Sequence, residues 1–159
     1  MSRNENKEQL LRQAGKAAKE GRLDEAGALV EQVLEVDSSD LKALSLLGFV
    51  RFFQKRYSES EIINRQVLDI DPYYVYALSG LGSCLARQGR LDEARESFEK
   101  AIALKPTWSE PYWDLAVAFK DHGRTEVALA VLAIGMNAVP DARQRFSKLI
   151  AKITRLSGV

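Results

Sequence analysis

The sequence has few of the residues on which most site chemistry depends. Its 159 residues include one cysteine, Cys84, and one histidine, His122. A single cysteine cannot form an internal disulfide, and it suits a reducing compartment. No Gly-rich phosphate loop, nucleophile motif or Cys/His metal spacing accompanies these residues. We therefore expect no catalysis, no cofactor and no bound metal, with Cys84 packed in the core and His122 in a turn.

Net charge and long apolar segments are also lacking. The 23 lysine and arginine residues are balanced by 22 aspartate and glutamate residues, which leaves a net charge of +1. That balance disfavours a nucleic-acid partner. No apolar run is long enough to span a membrane, and the N-terminal sequence MSRNENKEQLLRQAG lacks the apolar segment of a signal peptide. We therefore expect a cytoplasmic protein that binds neither nucleic acid nor membrane.

The sequence is instead rich in internal repetition. The phrase GRLDEA occurs at residues 21–26 and again at 89–94, an offset of 68 residues, which is twice 34. The related phrases KRYSES (55–60) and GRTEVA (123–128) fall on the same period. Prolines 72, 106 and 140 are also 34 residues apart. Such a period predicts a repeat protein in which each unit is one supersecondary element.

Each repeat carries two helical patterns. Leu78, Leu81 and Leu85 recur at the spacing of one helix face, and Gly89 suits a helix C-terminus that needs positive φ. Gly82 is small where two antiparallel helices must approach closely. The four prolines lie outside the proposed helix interiors, which favours an all-α fold in one domain. After a frayed polar lead at 1–6, we expect helix pairs near 7–20 and 24–36, 41–54 and 58–69, 75–88 and 92–104, and 109–122 and 126–138.

The third repeat allows the pattern to be assigned to a family. Its positions 4, 7, 8, 11, 20, 24, 27 and 32 hold Leu78, Leu81, Gly82, Leu85, Ala94, Phe98, Ala101 and Pro106. In these positions the chain resembles the tetratricopeptide repeat (TPR). The resemblance covers residues 7–140, as repeats 7–40, 41–74, 75–108 and 109–142, and is weakest in the first. It implies a right-handed superhelical α-solenoid of antiparallel helix hairpins.

The second repeat departs from this pattern at inward-facing positions. Arg51 and Asn64 stand at positions 11 and 24, where apolar residues are usual. Burying either polar group without a partner would be expensive. We therefore predict either a hydrogen bond between Arg51 and Asn64 or an Arg51 guanidinium that extends to the rim while its stem packs.

Helical patterning continues after the repeats end. Asp141 can cap a helix over 141–157, with one apolar face and one basic face. An exposed end repeat needs such an amphipathic cap, so we predict a C-terminal capping helix. The basic face is expected to be solvated rather than to bind an acidic partner. The apolar face comprises Phe146, Leu149, Ile150 and Ile153, and the basic face comprises Arg145, Lys148, Lys152 and Arg155.

The TPR resemblance also implies a ligand site. Positions 2, 5, 9, 12 and 13 of TPR repeats line a concave groove, and here several of them hold large aromatic residues, which suggests a partner site. The alternative is that Phe52 packs between hairpins and Trp113 against a neighbour. We expect a protein or peptide ligand in the groove of a monomer or weak homo-oligomer. The predicted partner-binding residues are Phe49, Phe52, Phe53, Tyr76, Arg87, Trp113 and Lys120.

Three functions are compatible with this pattern. The first is a non-catalytic adaptor or scaffold. The second resembles the TPR chaperones of bacterial type III secretion, although those typically have three repeats and a distinct N-terminal helical region. The third is a self-assembling structural scaffold. A chaperone-tail adaptor is disfavoured, because the clamp positions that would carry lysine, asparagine and arginine hold Leu11, Gly15, Leu46, Tyr76 and Gly80.

Overall fold

The computed structural model describes residues 3–157, which form nine α-helices and one short 3-10 helix. No strand occurs in this range, so the all-α prediction is confirmed. Helix α1 already begins at Arg3, so residues 3–6 are helical rather than a frayed lead, and Met1 and Ser2 lie outside the described residues. The helices are α1 (Arg3–Lys19), α2 (Leu23–Val36), α3 (Leu41–Phe53), α4 (Tyr57–Ile70), α5 (Val75–Arg87), α6 (Leu91–Leu104), α7 (Ser109–Asp121), α8 (Thr125–Ala138) and α9 (Arg143–Ser157), with the 3-10 helix at Pro140–Ala142.

The tight turn inside each hairpin depends on one residue in the left-handed region. Gly89 has φ 79° between α5 and α6, and the next backbone amide, of Arg90, donates to the Leu85 carbonyl at 2.9 Å. This is the Schellman arrangement that ends a helix. In the second hairpin Lys55 takes the equivalent place with φ 62°. Residues other than glycine rarely adopt this conformation.

Neighbouring hairpins pack mainly where the second helix of one contacts the first helix of the next, and their first helices also contact one another. Helix α3 contacts both α1 and α5, and α5 also contacts α7. Within residues 3–157 no contact of similar extent joins the second helices α2, α4, α6 and α8 to one another. The first helices are therefore closer together than the second helices, and they form the inner, concave side of the solenoid.

The core is densest where the third and fourth hairpins meet. Phe98 is fully buried, and a Cβ built on Gly82 would lie 3.0 Å from atoms of its ring. The predicted close approach of α5 and α6 at Gly82 is therefore present. Cys84 is also fully buried, with its Sγ 3.0 Å from Ser60 Oγ, as expected of a core residue.

The polar residues of the second hairpin find separate partners. The amide nitrogen of Asn64 donates to the Ser60 carbonyl at 2.9 Å. The Arg51 guanidinium reaches the rim, where it donates to Gln54 Oε1 at 2.9 Å and to Glu31 Oε1 at 2.5 Å. The predicted Arg51–Asn64 hydrogen bond is therefore wrong, and the rim alternative is the observed one. Rim partners are available to Arg51 because its long stem packs inside while its charge stays near water.

Helix α9 covers the open side of the last hairpin. Phe146 and Ile153 are almost fully buried, and they join the same apolar cluster as Leu132 on α8. A Cβ on Gly135 would lie 2.8 Å from Phe146 Cε2, so a small residue on α8 makes room for this ring. Asp141 does not cap α9 as predicted; it lies in the 3-10 helix that precedes it. None of the helices within residues 3–157 is long and apolar enough to cross a membrane.

Candidate functional site

The concave side contains a cavity of about 590 Å³ between α3, α5 and α7. We call it the aromatic groove, because its walls include six aromatic side chains. Three come from the last five residues of α3, one from α5, and two from the residues that immediately precede α5 and α7. They are Phe49, Phe52, Phe53, Tyr76, Tyr74 and Trp108.

One wall of the aromatic groove is a cluster of phenylalanines. Phe49 and Phe53 are one helical turn apart on α3, and their ring centroids lie 4.5 Å from each other. Phe52 meets Phe53 edge-on at 5.3 Å. Phe49 is nevertheless 45% exposed and Phe53 53% exposed. The cluster therefore presents a large apolar surface to solvent.

The opposite wall is built around Tyr76, which is 50% exposed. Its ring lies edge-on to Trp108 at 5.0 Å, and it lies 5.8 Å from Tyr74. The Lys105 ammonium sits 5.5 Å from the Tyr76 ring centroid and 5.7 Å from that of Trp108, within the range of a cation–π contact. These contacts orient the two rings before any ligand arrives.

The floor of the aromatic groove is polar and narrow. Asn64 reaches it from α4 and is only 3% exposed. Its side-chain amide lies between the glycines of two groove helices: a Cβ on Gly48 would be 3.3 Å from Asn64 Nδ2, and one on Gly80 would be 2.8 Å from Asn64 Oδ1. Because both positions lack a side chain, the amide fits between the two helices at the edge of the cavity.

A second cavity, of about 420 Å³, continues the aromatic groove toward the hairpin turns. We call it the lower cavity. It shares Phe52, Ser83 and Asp114 with the aromatic groove, and it also includes Arg87 and His122. A bound segment could therefore contact both cavities.

Asp114 lies where the two cavities meet, and its environment is unusual for a carboxylate. Burial raises the pKa of Asp114 to about 6, and the charge of Glu110 acts in the same direction. The charge of Arg145 and a hydrogen bond with Ser83 oppose that rise. Asp114 makes no salt bridge to any described residue, whereas Glu110 pairs with Arg145 at 3.1 Å. At neutral pH the groove thus holds a largely ionised carboxylate without an ion-pair partner.

The solved structures most relevant here are helical repeat proteins. A thermophilic TPR protein of Thermus thermophilus shares 20% identity, with a TM-score of 0.83 over 96% of this chain and 83% of that chain. The repeat model described as "Tetratricopeptide repeat" matches residues 75–108. The chain therefore has the TPR fold, with a match to the tetratricopeptide repeat itself at residues 75–108.

Two further structures have the TPR fold at similar distance. MamA shares 20% identity with a TM-score of 0.70, over 88% of this chain and 81% of that chain. The first TPR of Spaghetti, solved with the HSP90 peptide SRMEEVD, shares 19% identity with a TM-score of 0.67, over 75% of this chain and 94% of that chain. No curated protein compared with the sequence matches it. At these identities the structures establish the TPR fold and nothing about the ligand.

Four of the residues predicted for the TPR groove line it. Phe49, Phe52, Phe53 and Tyr76 all face the aromatic groove. Arg87 lines the lower cavity, with its guanidinium 6.0 Å from the Tyr57 ring centroid. The sequence prediction therefore identified the main wall of the cavity.

The other two predicted residues line neither cavity. Trp113 stacks on Phe146 of α9 at 6.4 Å, with the Arg145 guanidinium 4.4 Å from its ring centroid. Placing it in the groove was incorrect, because the capping helix covers this ring, and the alternative of packing against a neighbour is the observed one. Lys120 is paired with Asp121 at 2.5 Å.

Trp108 and Asp114 are among the groove residues that sequence reasoning missed. Trp108 stands at the last position of its repeat, just before α7, and so outside the helical positions considered. The signal available was Tyr74, which occupies the same place 34 residues earlier. Asp114 carries no pattern in the sequence, because only packing shows that its carboxylate is confined. The described residues contain no group of three His, Cys, Asp or Glu side chains arranged to hold a metal ion.

Proposed function

We propose that this TPR protein is a non-catalytic protein–protein interaction module, an adaptor or scaffold that binds a peptide or protein segment in the aromatic groove. The observation that carries the proposal is the exposure of Phe49, Phe53 and Tyr76 on one concave surface. Large apolar side chains that face solvent together mark interaction sites more often than isolated ones do. Concave, mostly apolar cavities with a few polar groups are also the usual form of a binding site.

The Spaghetti structure supports a peptide as the kind of ligand, because that TPR holds a short peptide. The HSP90 peptide itself is not the ligand we propose for this chain. Tyr76 and Gly80 occupy two of the positions where chaperone-tail clamps carry basic residues, and both line the aromatic groove. An apolar side chain fits such walls better than a carboxylate does.

The test replaces two walls of the groove at once. In the double variant Phe53→Ala with Tyr76→Ala, proteins captured from a lysate should be released while circular dichroism stays native. Loss of well-packed aromatic anchors typically costs about 2 kcal/mol or more, roughly thirtyfold in Kd. Tyr73→Ala is the matched control, because Tyr73 is 74% exposed and lines neither cavity. An unchanged set of captured proteins in the double variant would move the binding site elsewhere.

Location and assembly are part of the same proposal. A cytoplasmic location is predicted from the single cysteine, Cys84, which is free and buried. We expect a monomer or a weak homo-oligomer. Light scattering over a concentration series tests the second point, since a self-assembling scaffold would grow with concentration.

A further inference from the structure

The aromatic groove has a chemical asymmetry that its aromatic walls alone do not explain. Asp114 lines both the aromatic groove and the lower cavity, and it makes no salt bridge within residues 3–157. The charged groups around it are committed elsewhere: Glu110 to Arg145, and Asp121 to Lys120. A partly buried carboxylate is stabilised when a cation approaches it. The groove therefore complements a positive charge at this point.

The geometry sets how far that charge lies from an apolar anchor. Phe53 on α3 and Tyr76 on α5 both line the groove, and Asp114 is on the next groove helix, α7. Packed helices are about 8–10 Å apart. An extended peptide advances about 3.3 Å per residue, so the single helix spacing between Tyr76 on α5 and Asp114 on α7 corresponds to roughly two or three residues of a bound segment.

Resting on the proposed function, we propose that the aromatic groove selects an extended peptide segment with an aliphatic or aromatic residue two or three positions from a lysine or arginine. The apolar side chain lies among Phe53 and Tyr76, and the cation pairs with Asp114. The amide of Asn64 lies at the floor of the groove, between the glycines of α3 and α5.

A pH dependence follows from the same pair. Ionised Asp114 binds the cation and protonated Asp114 does not, so affinity should be constant above about pH 7 and fall below about pH 6, following the raised pKa of Asp114. The charged groups that face Asp114 are Glu110 on its own helix and Arg145 on α9. The lower cavity adds three more, which are Arg87, Asp121 and His122.

The experiment is a selection from phage-displayed random dodecapeptides with three proteins: the wild type, Asp114→Asn and Phe53→Ala. The wild type should enrich peptides that carry both the apolar and the basic residue. Asp114→Asn should keep the apolar residue and lose the preference for the basic one. Asp92→Asn, an exposed carboxylate on α6, is the charge-matched control and should select as the wild type does.

A selected peptide then allows the interaction between Asp114 and the basic residue of the peptide to be measured directly. Replacing its lysine or arginine by glutamine should raise Kd by at least about tenfold in the wild type and hardly at all in Asp114→Asn, as expected for a charge-assisted hydrogen bond. The wild type should lose affinity between about pH 7 and pH 5, and Asp114→Asn should not. His122→Gln checks the one histidine nearby, because histidine side chains change charge in the same range. Full pH dependence should remain in that variant.

The outcomes separate the two proposals. The Asp114 inference is overturned if the wild type enriches peptides with apolar residues alone or with acidic neighbours. It is also overturned if Asp114→Asn enriches the same basic residue as the wild type. In each case the groove proposal still stands. If Phe53→Ala selects the same peptides as the wild type, the groove proposal fails as well. Self-association that is abolished by Phe53→Ala, without peptide enrichment, would assign the groove to a second copy of the chain and overturn the inference.

Discussion

Replacing Asp114 by asparagine should stabilise the folded protein at neutral pH. Burial raises the pKa of this carboxyl from 3.8 to about 6. Each pKa unit corresponds to about 1.4 kcal/mol, so two units give roughly 3 kcal/mol in full. Because the side chain is only partly buried, solvent screening reduces the expected cost of the charge to about 1–2 kcal/mol.

The sign follows from proton binding. The pKa is higher in the folded than in the unfolded chain, so between about pH 4 and pH 6 the folded state binds more protons. The contribution of Asp114 to stability is therefore fully present below about pH 4 and is lost as pH rises through about 6. Asparagine has the same shape and no charge, so Asp114→Asn should be more stable than the wild type at about pH 7.5 and equal to it near pH 4.

Urea unfolding of both proteins at the two pH values measures this difference. Subtracting the wild-type value from the variant value cancels the contribution of the other carboxylates to the pH dependence of stability. Glu61 is one of these carboxylates: burial alone would raise its pKa, but hydrogen bonds from Gln88, Arg65 and Arg90 lower it. Asp92→Asn should show no such pH-dependent gain. A gain that is the same at both pH values, or a loss at neutral pH, would refute the assignment of Asp114 as a confined, unpaired carboxylate.

Four further predictions concern packing. Phe98→Ala should lower the free energy of unfolding by about 3–5 kcal/mol, because the Phe98 ring is fully buried. Phe53→Ala should lower it by about 1 kcal/mol or less. Equal losses in urea unfolding would place Phe53 in the core. Gly82→Ala should destabilise by about 1–3 kcal/mol because its Cβ would press on the Phe98 ring. Gly15→Ala, which meets nothing within 4 Å, should stabilise by up to about 1 kcal/mol. Ending the chain after Ala142 removes α9 and uncovers the apolar side of the last hairpin. The melting temperature should therefore fall, and light scattering should detect aggregation. A soluble truncated protein of unchanged stability would contradict the capping role of α9.

The helices and turns were predictable because they depend on local chemistry that repeats. Gly89 ends a helix in the sequence for the same reason that it has φ 79° in the structure. Gly82 was recognisable as a contact point because no other residue leaves room for the Phe98 ring. The aromatic groove followed from periodicity as well, since Phe49, Phe53 and Tyr76 occupy the inner face of successive hairpins.

The wrong predictions concern residues whose contacts lie outside their own repeat. Trp113 has the periodic position of a groove residue, but α9 lies beside the last hairpin and its Phe146 and Arg145 cover the ring. Arg51 could have paired with Asn64, and the choice of Glu31 instead depends on how α2 and α3 pack. Neither neighbour can be inferred from the spacing within one repeat.

The groove groups stand out because folding does not require them. In a repeat protein, stability comes from the hairpins and from contacts between neighbouring repeats. Phe53 and Tyr76 leave about half of their surface exposed on the concave side, and Asp114 keeps a charge where burial raises its pKa to about 6. Polar residues in place of Phe53 and Tyr76, and a neutral residue in place of Asp114, would suit the isolated fold as well or better. Groups that weaken or leave unchanged the free protein, yet converge on one cavity, are the groups that the proposed ligand-binding function requires.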